Sequence, residues 1–116
     1  TKVVEIGYAC TALSLFKTKV IKEVGEFDEN FSKWSFDTDY SWRMKEKGYK
    51  VVVAPKAKAT HFMSHTISQD PTLKKYEVLD RIYLVKKWFL TGRFKDSYAK
   101  NNSEFIDHWR RYIERT

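Results

Sequence analysis

Apolar residues recur along this chain at two spacings. Thr1 to Phe16 is rich in β-branched and small apolar residues and predicts two short strands, about 2–7 and 10–16, with Gly7 between them. The spacing changes at Val20, Ile21 and Val24, which share one face of a short helix, about 19–24. Thr18 is its candidate cap and Gly25 its left-handed stop. A polar loop, 26–35, carries Phe27, Phe31 and Trp34, so it is expected to pack on something. A helix over about 38–47 follows, capped by Asp37 or Thr38, with Tyr40, Met44 and Arg43 on one face. Tyr49 to Ala54 predicts a strand, and its run Val51-Val52-Val53 suits one covered on both faces. Pro55 stops it, and 56–60 alternates weakly as a second short strand. The stretch 61–71 reads as a loop. Leu73, Tyr76, Leu79, Ile82, Tyr83, Val85, Trp88 and Phe89 then predict the longest helix, about 72–90, closed by Thr91-Gly92. A last helix, about 103–114, is capped by Asn102 or Ser103.

Composition narrows the class. A chain of 116 residues holds one domain at most, and 42% hydrophobic residues favour folding over disorder. The formal charge of +7 favours anionic partners: nucleotide diphosphates, nucleic acid or an anionic membrane surface. The single Cys10 excludes an intrachain disulfide and a cysteine metal cage, and its small apolar neighbours predict a buried, inert thiol. No apolar run approaches the roughly 20 residues needed to span a bilayer, and no signal peptide is visible. The strand-like opening without Met suggests a piece of a longer protein, although a removed Met gives the same start.

Few residues offer chemistry. Asp37 and Asp39 lie two apart at a loop-to-helix junction, where free N–H groups and the helix dipole stabilise a carboxylate. One reading makes them a cap and a first-turn acid. The other has Asp37 accept a proton from a substrate hydroxyl. A carboxylate of ordinary pKa, near 4, becomes a useful base as that hydroxyl bonds to an electrophile. His61, after the strands, is either structural or a metal ligand. His65 follows four residues on, in a loop composition that disfavours a helical His pair. Arg43 stands four residues after Asp39, the spacing of a helical ion pair. The basic, aromatic helix 72–90 is either a solvated face or a contact for nucleic acid or lipid headgroups. No glycine-rich phosphate loop, Cys/His zinc pattern or Gly-x-Ser-x-Gly elbow is present.

Four blocks together resemble the C-terminal half of family 2 glycosyltransferases of the GT-A fold. They are Val24-Gly25-Glu26-Phe27-Asp28-Glu29-Asn30-Phe31, Phe36-Asp37-Thr38-Asp39-Tyr40-Ser41-Trp42-Arg43, Gly48-Tyr49-Lys50-Val51-Val52-Val53-Ala54-Pro55, and His61. The resemblance implies an α/β fold, part of a GT-A domain, with a small mixed sheet, flanking helices and a helical C-terminal region. Residues 1–71 would be the acceptor-side part of the catalytic domain and 72–116 a helical extension. It implies that Asp37 is the catalytic base and deprotonates an acceptor hydroxyl as that oxygen attacks the anomeric carbon with inversion. His61 would help hold a divalent metal, Mn or Mg, which offsets charge on the departing diphosphate. Trp34 and Phe36 would line the acceptor side. Asp39 and Arg43 would support the helix under Asp37.

The departures carry information. Glu26 replaces the second glycine of the first block, and Phe36 replaces the usual Glu before the base, where some branches carry an aromatic. No Asp precedes Asp28, so the family's nucleotide-binding strands and Asp-x-Asp are missing. The expectation is a fragment inactive alone, whose parent uses a nucleotide-sugar donor and a sugar or lipid-linked acceptor in surface polysaccharide synthesis. That parent is expected in the cytoplasm, with peripheral contact to the inner membrane. The fragment is expected to expose a sheet edge that invites dimerisation. One rival is a non-catalytic basic module for nucleic acid or an anionic membrane, with nucleic acid the less favoured partner. Another is a degenerate transferase domain kept for assembly.

Overall fold

The computed structural model describes residues 3–58 and 73–99, together with Asp107, Arg111 and Glu114. Within them the chain is a small mixed α/β protein of three helices and a two-stranded sheet. The strands are β1, Val4–Glu5, and β2, Val52–Val53. They pair antiparallel with Val4 opposite Val53 and Glu5 opposite Val52. One further bond, from the Ile6 N–H to the Val51 carbonyl at 2.9 Å, extends the contact. The helices are α1, Thr18–Val24, α2, Phe36–Glu46, and α3, Lys74–Trp88.

Several expectations are corrected. Residues 10–16 do not form a strand: Thr11–Leu13 is a 3-10 turn. The Ser14 hydroxyl donates to the Cys10 carbonyl at 2.6 Å, a local bond that competes with a ladder. Cys10 is exposed, not buried, because no strand carries it inward. Strand β2 is shorter than 49–54, and both its valines stay over 40% exposed, so neither face of it is covered by described residues. The Ala57 N–H closes a turn onto the Ala54 carbonyl where a second strand was expected; residues 59 and 60 lie outside the described residues. Thr18 is the first helical residue, not the cap, and Lys17 precedes it with extended backbone. Neither Asp37 nor Thr38 caps α2: Ser35 does, at φ +65°, so the helix starts two residues earlier than predicted. Gly25 ends α1 with φ +90° and ψ −163°, a region open to glycine but not the left-handed helical well. The predicted helix 103–114 lies outside the described residues except for Asp107, Arg111 and Glu114, which are helical.

Helix α2 is the centre of the packing. It buries Thr38, Asp39, Tyr40, Ser41, Trp42 and Met44, more than one stripe, because it separates two apolar clusters. On one side Trp42 packs with Phe31, Leu84, Val85, Trp88 and Tyr98. The Trp42 and Trp88 rings meet edge to face, with centroids 5.5 Å apart. On the other side Tyr40 and Met44 pack with Val20 and Val51. Truncating either buried Trp to Ala would cost about 3–5 kcal/mol, so the first cluster holds α3 on α2. Lys45 ties the layers, donating to the Ile6 carbonyl at 2.6 Å and the Tyr98 carbonyl at 2.7 Å.

The predicted stripe of α3 holds in its second half, where Val85 and Trp88 are buried and Tyr83 and Phe89 pack against the core, and fails in its first half, where Tyr76 and Leu79 are exposed. Leu79 is more than half exposed, and Asp80, Leu84, Val85 and Trp88 face inward. Asp80 shares the inward face with Leu84 and Trp88 and bonds the loop before α2.

Candidate functional site

Three carbonyls at the end of α1 need donors, and α2 supplies them. Arg43 donates to the Val24 carbonyl at 2.8 Å and to the Glu26 carbonyl at 2.7 Å. The Tyr40 hydroxyl donates to the Gly25 carbonyl at 2.7 Å. A Cβ on Gly25 would come within 3.7 Å of the Arg43 guanidinium, so the backbone here runs close beneath it.

The loop after α1 turns on Asp28. Its carboxylate accepts the Asn30 N–H at 2.9 Å, the Tyr83 hydroxyl at 2.7 Å and the Lys87 ammonium at 2.8 Å. Burial alone would raise its pKa. The bonds from Lys87, Tyr83 and Asn30 outweigh burial and hold it well below the usual carboxylate range. The same environment pushes the Tyr83 hydroxyl up, first through burial and then through Asp28.

Lys87 also reaches Asp39 at 2.8 Å. Asp39 is fully buried and accepts the Trp88 indole N–H at 2.7 Å. Its second oxygen has no hydrogen bond among the described residues and faces Arg43 at 3.8 Å, the helical pair expected from the spacing. The loop acid, the helix acid and two cations thus form one buried network joining α1, α2 and α3.

Asp80 organises the rest of the loop. Its two oxygens accept the backbone N–H groups of Ser32, Lys33 and Trp34 at 2.9, 3.0 and 3.0 Å. That fixes Trp34 at the wall of an open cleft of about 230 Å³, lined by Ser32, Lys33, Trp34, Leu73 and Tyr76. Phe36 turns inward, edge to face with Phe27 at 5.3 Å and against the Trp42–Trp88 cluster.

Asp37 differs from Asp39. It is only half-buried, and one oxygen accepts the Thr38 N–H at 2.9 Å. Tyr8 lies within its electrostatic reach: burial first, then the negative charges of Asp37 and Cys10, raise the Tyr8 pKa. No family model, curated protein or solved structure matches the chain. His61 lies outside the described residues. Among the described residues no three His, Cys, Asp or Glu side chains could hold a metal ion together. Nor, among them, is any helix long and apolar enough to cross a membrane.

Tyr83, Lys87 and Asp80 were not anticipated as partners of the loop. The signal available was Asp80 itself, an acid four residues from both Tyr76 and Leu84, inside the apolar pattern of α3.

Proposed function

We propose that this chain is the acceptor-side part of an inverting glycosyltransferase of family 2, with a GT-A fold. The observation that carries the reading is the convergence of its separated sequence blocks. Asp28 of the first block and Asp39 of the second share the Lys87 ammonium, while Arg43 of the second holds the carbonyls of Val24 and Glu26 in the first. Beside this frame Asp37, two residues from Asp39, stays half-buried and outside the network.

In this reading Asp37 receives the proton of an acceptor hydroxyl. One oxygen accepts the Thr38 N–H at 2.9 Å, and the other would take the proton. The acceptor oxygen attacks the anomeric carbon, the bond to the nucleotide diphosphate breaks on the opposite side, and the configuration inverts. Asp39 and Arg43 act by position, holding α2 under Asp37. The divalent metal, Mn or Mg, would be held by the donor half together with His61 of this chain, and would offset charge on the departing diphosphate; the described residues supply no complete metal site. The donor is a nucleotide-sugar and the acceptor a sugar or lipid-linked hydroxyl.

The rival basic module loses part of its motive. Lys87, Arg43, Lys45, Arg81 and Arg93 make internal ion pairs or carbonyl bonds. Ion pairs remove charges of both signs, so the net +7 is unchanged, but these five cations are held by internal partners and not aimed at an external polyanion.

The test is Asp37→Asn in the full-length enzyme, screened with UDP- and GDP-activated hexoses and Mn or Mg. Transfer is expected to fall about 10²- to 10⁴-fold with circular dichroism and melting temperature unchanged. Full activity in the folded variant would refute the role of Asp37. The isolated 116 residues are expected to show no transfer, and transfer by them would overturn the fragment reading.

A further inference from the structure

The cleft beside Trp34 combines aromatic walls with positive charge. Its walls are an indole, a phenol and an aliphatic side chain, from Trp34, Tyr76 and Leu73, and its polar groups come from Ser32 and Lys33. Aromatic faces with one edge of polar groups suit the apolar face of a pyranose ring and its hydroxyls. The cleft is open and, at about 230 Å³, below the roughly 300–1,000 Å³ usual for drug-sized ligands, so it suits one ring.

Among the described residues, the charge at its lining is positive: it holds a cation, Lys33, and no acid. Lys75 adds a second positive charge, its ammonium 5.1 Å from the centroid of the Tyr76 ring. The Asp80 carboxylate behind the loop is engaged by three backbone N–H groups. Those same bonds hold the Trp34 backbone in place before any ligand arrives, which lowers the ordering cost of binding.

We infer that this cleft binds one anionic pyranose, a uronate or a sugar phosphate. The ring stacks on Trp34 and Tyr76, and the anion meets Lys33 and Lys75. That it serves as an acceptor subsite rests on the transferase reading; the binding itself does not.

The experiment is equilibrium binding to the 116-residue chain without nucleotide-sugar, followed by amide and indole shifts at Ser32, Lys33 and Trp34. The probes are glucuronate, glucose 6-phosphate, glucose and inorganic phosphate. Binding by glucuronate, glucose 6-phosphate or both, with glucose and inorganic phosphate at least about tenfold weaker, is the expected result. The first two probes separate a uronate from a phosphate source. Lys33→Met is expected to weaken the preference for the charged sugar several-fold, and Trp34→Leu to erase the binding of the ring. Equal binding of glucose, equal binding of inorganic phosphate, or no binding would overturn the proposal. So would unchanged binding in Lys33→Met, which keeps the test valid should Trp34→Leu fail to fold. If Asp37→Asn abolishes transfer and no anionic sugar binds, the cleft proposal alone fails. If anionic sugars bind and Asp37→Asn retains transfer, the assignment of the base alone fails.

Discussion

Replacing Lys87 by methionine removes the cation that two carboxylates share while keeping the apolar stem of the side chain. The Lys87 side chain is 16% exposed, Asp28 13% and Asp39 not at all, and both contacts are 2.8 Å. At an effective dielectric of about 20, each contact amounts to roughly 6 kcal/mol of Coulomb energy. Desolvation offsets most of it. The relevant figure is the cost of stranding buried charge, about 3–5 kcal/mol. Several partners survive in the variant: Tyr83 and Asn30 on Asp28, and Trp88 on Asp39 with Arg43 at 3.8 Å. The lower end, about 3 kcal/mol, is therefore expected. That is a large share of the 5–15 kcal/mol typical of a folded domain.

Urea unfolding followed by tryptophan fluorescence measures it. With a slope of about 1–3 kcal/mol/M, the midpoint should fall by about 1–3 M. The acid limb gives a second, independent signature. Asp28 is held below its ordinary pKa, so the folded state binds its proton less readily than the unfolded chain. Its stabilisation is present above about pH 4, the unfolded carboxylate value, and is lost as pH falls below that towards the depressed folded value. In Lys87→Met the Asp28 pKa should rise, and this acid-side loss should shrink. A destabilisation below about 1 kcal/mol, the value of an exposed pair, would refute the network as the clamp between α2 and α3. A loss of 3 kcal/mol with an unchanged acid limb would point to packing instead.

Other variants probe neighbouring features. Asp80→Leu leaves three loop N–H groups without their acceptor; a loss of about 2–4 kcal/mol is expected, with faster amide exchange at Ser32, Lys33 and Trp34 than elsewhere. Uniform exchange across the chain would contradict a loop-specific role. Gly25→Ala places a Cβ at φ +90° and beside Arg43, which should cost about 1–3 kcal/mol in a thermal melt; an unchanged melting temperature would mean the backbone relaxes. Val52→Lys with Val53→Lys should cost little stability, since both side chains are partly exposed, at 47% and 41%, and should reduce self-association of the isolated chain in sedimentation velocity. A monomeric parent chain would remove the premise that this sheet is sticky.

The three helices within the described residues were legible in outline because each carries its own local signals. Val20 and Val24 recur at helical spacing before a glycine, and α3 is rich in apolar residues three and four apart. The strands were overestimated for the opposite reason. A β-branched run such as Val51-Val52-Val53 says that a strand would be tolerated, but its length depends on partners distant in sequence. Here, among the described residues, only Val4, Glu5 and Ile6 bond it, and both β2 valines remain exposed. The start of α2 was misplaced because Ser35 adopts a left-handed backbone that neither composition nor spacing signals.

The fates of Asp37 and Asp39 show where sequence reasoning about the site stops. The two acids are two residues apart at the head of one helix, so the dipole and free N–H groups act on both alike. What separates them is rotation. A helix turns about 100° per residue, so two positions on it face nearly opposite ways. Asp39 points at α3 and meets Lys87 and Trp88, 48 and 49 residues further on, contacts that no local pattern encodes. Asp37 points away from that network and stays half-buried. A base must be reachable by a substrate, and a clamp must be desolvated to be strong; the same pair can supply both only because α3 covers one acid and leaves the other. Lys87 is thus tied to catalysis in the proposed enzyme through α2. Lys87→Met should lower transfer by loosening the helix under Asp37, and, unlike Asp37→Asn, should lower it together with the melting temperature.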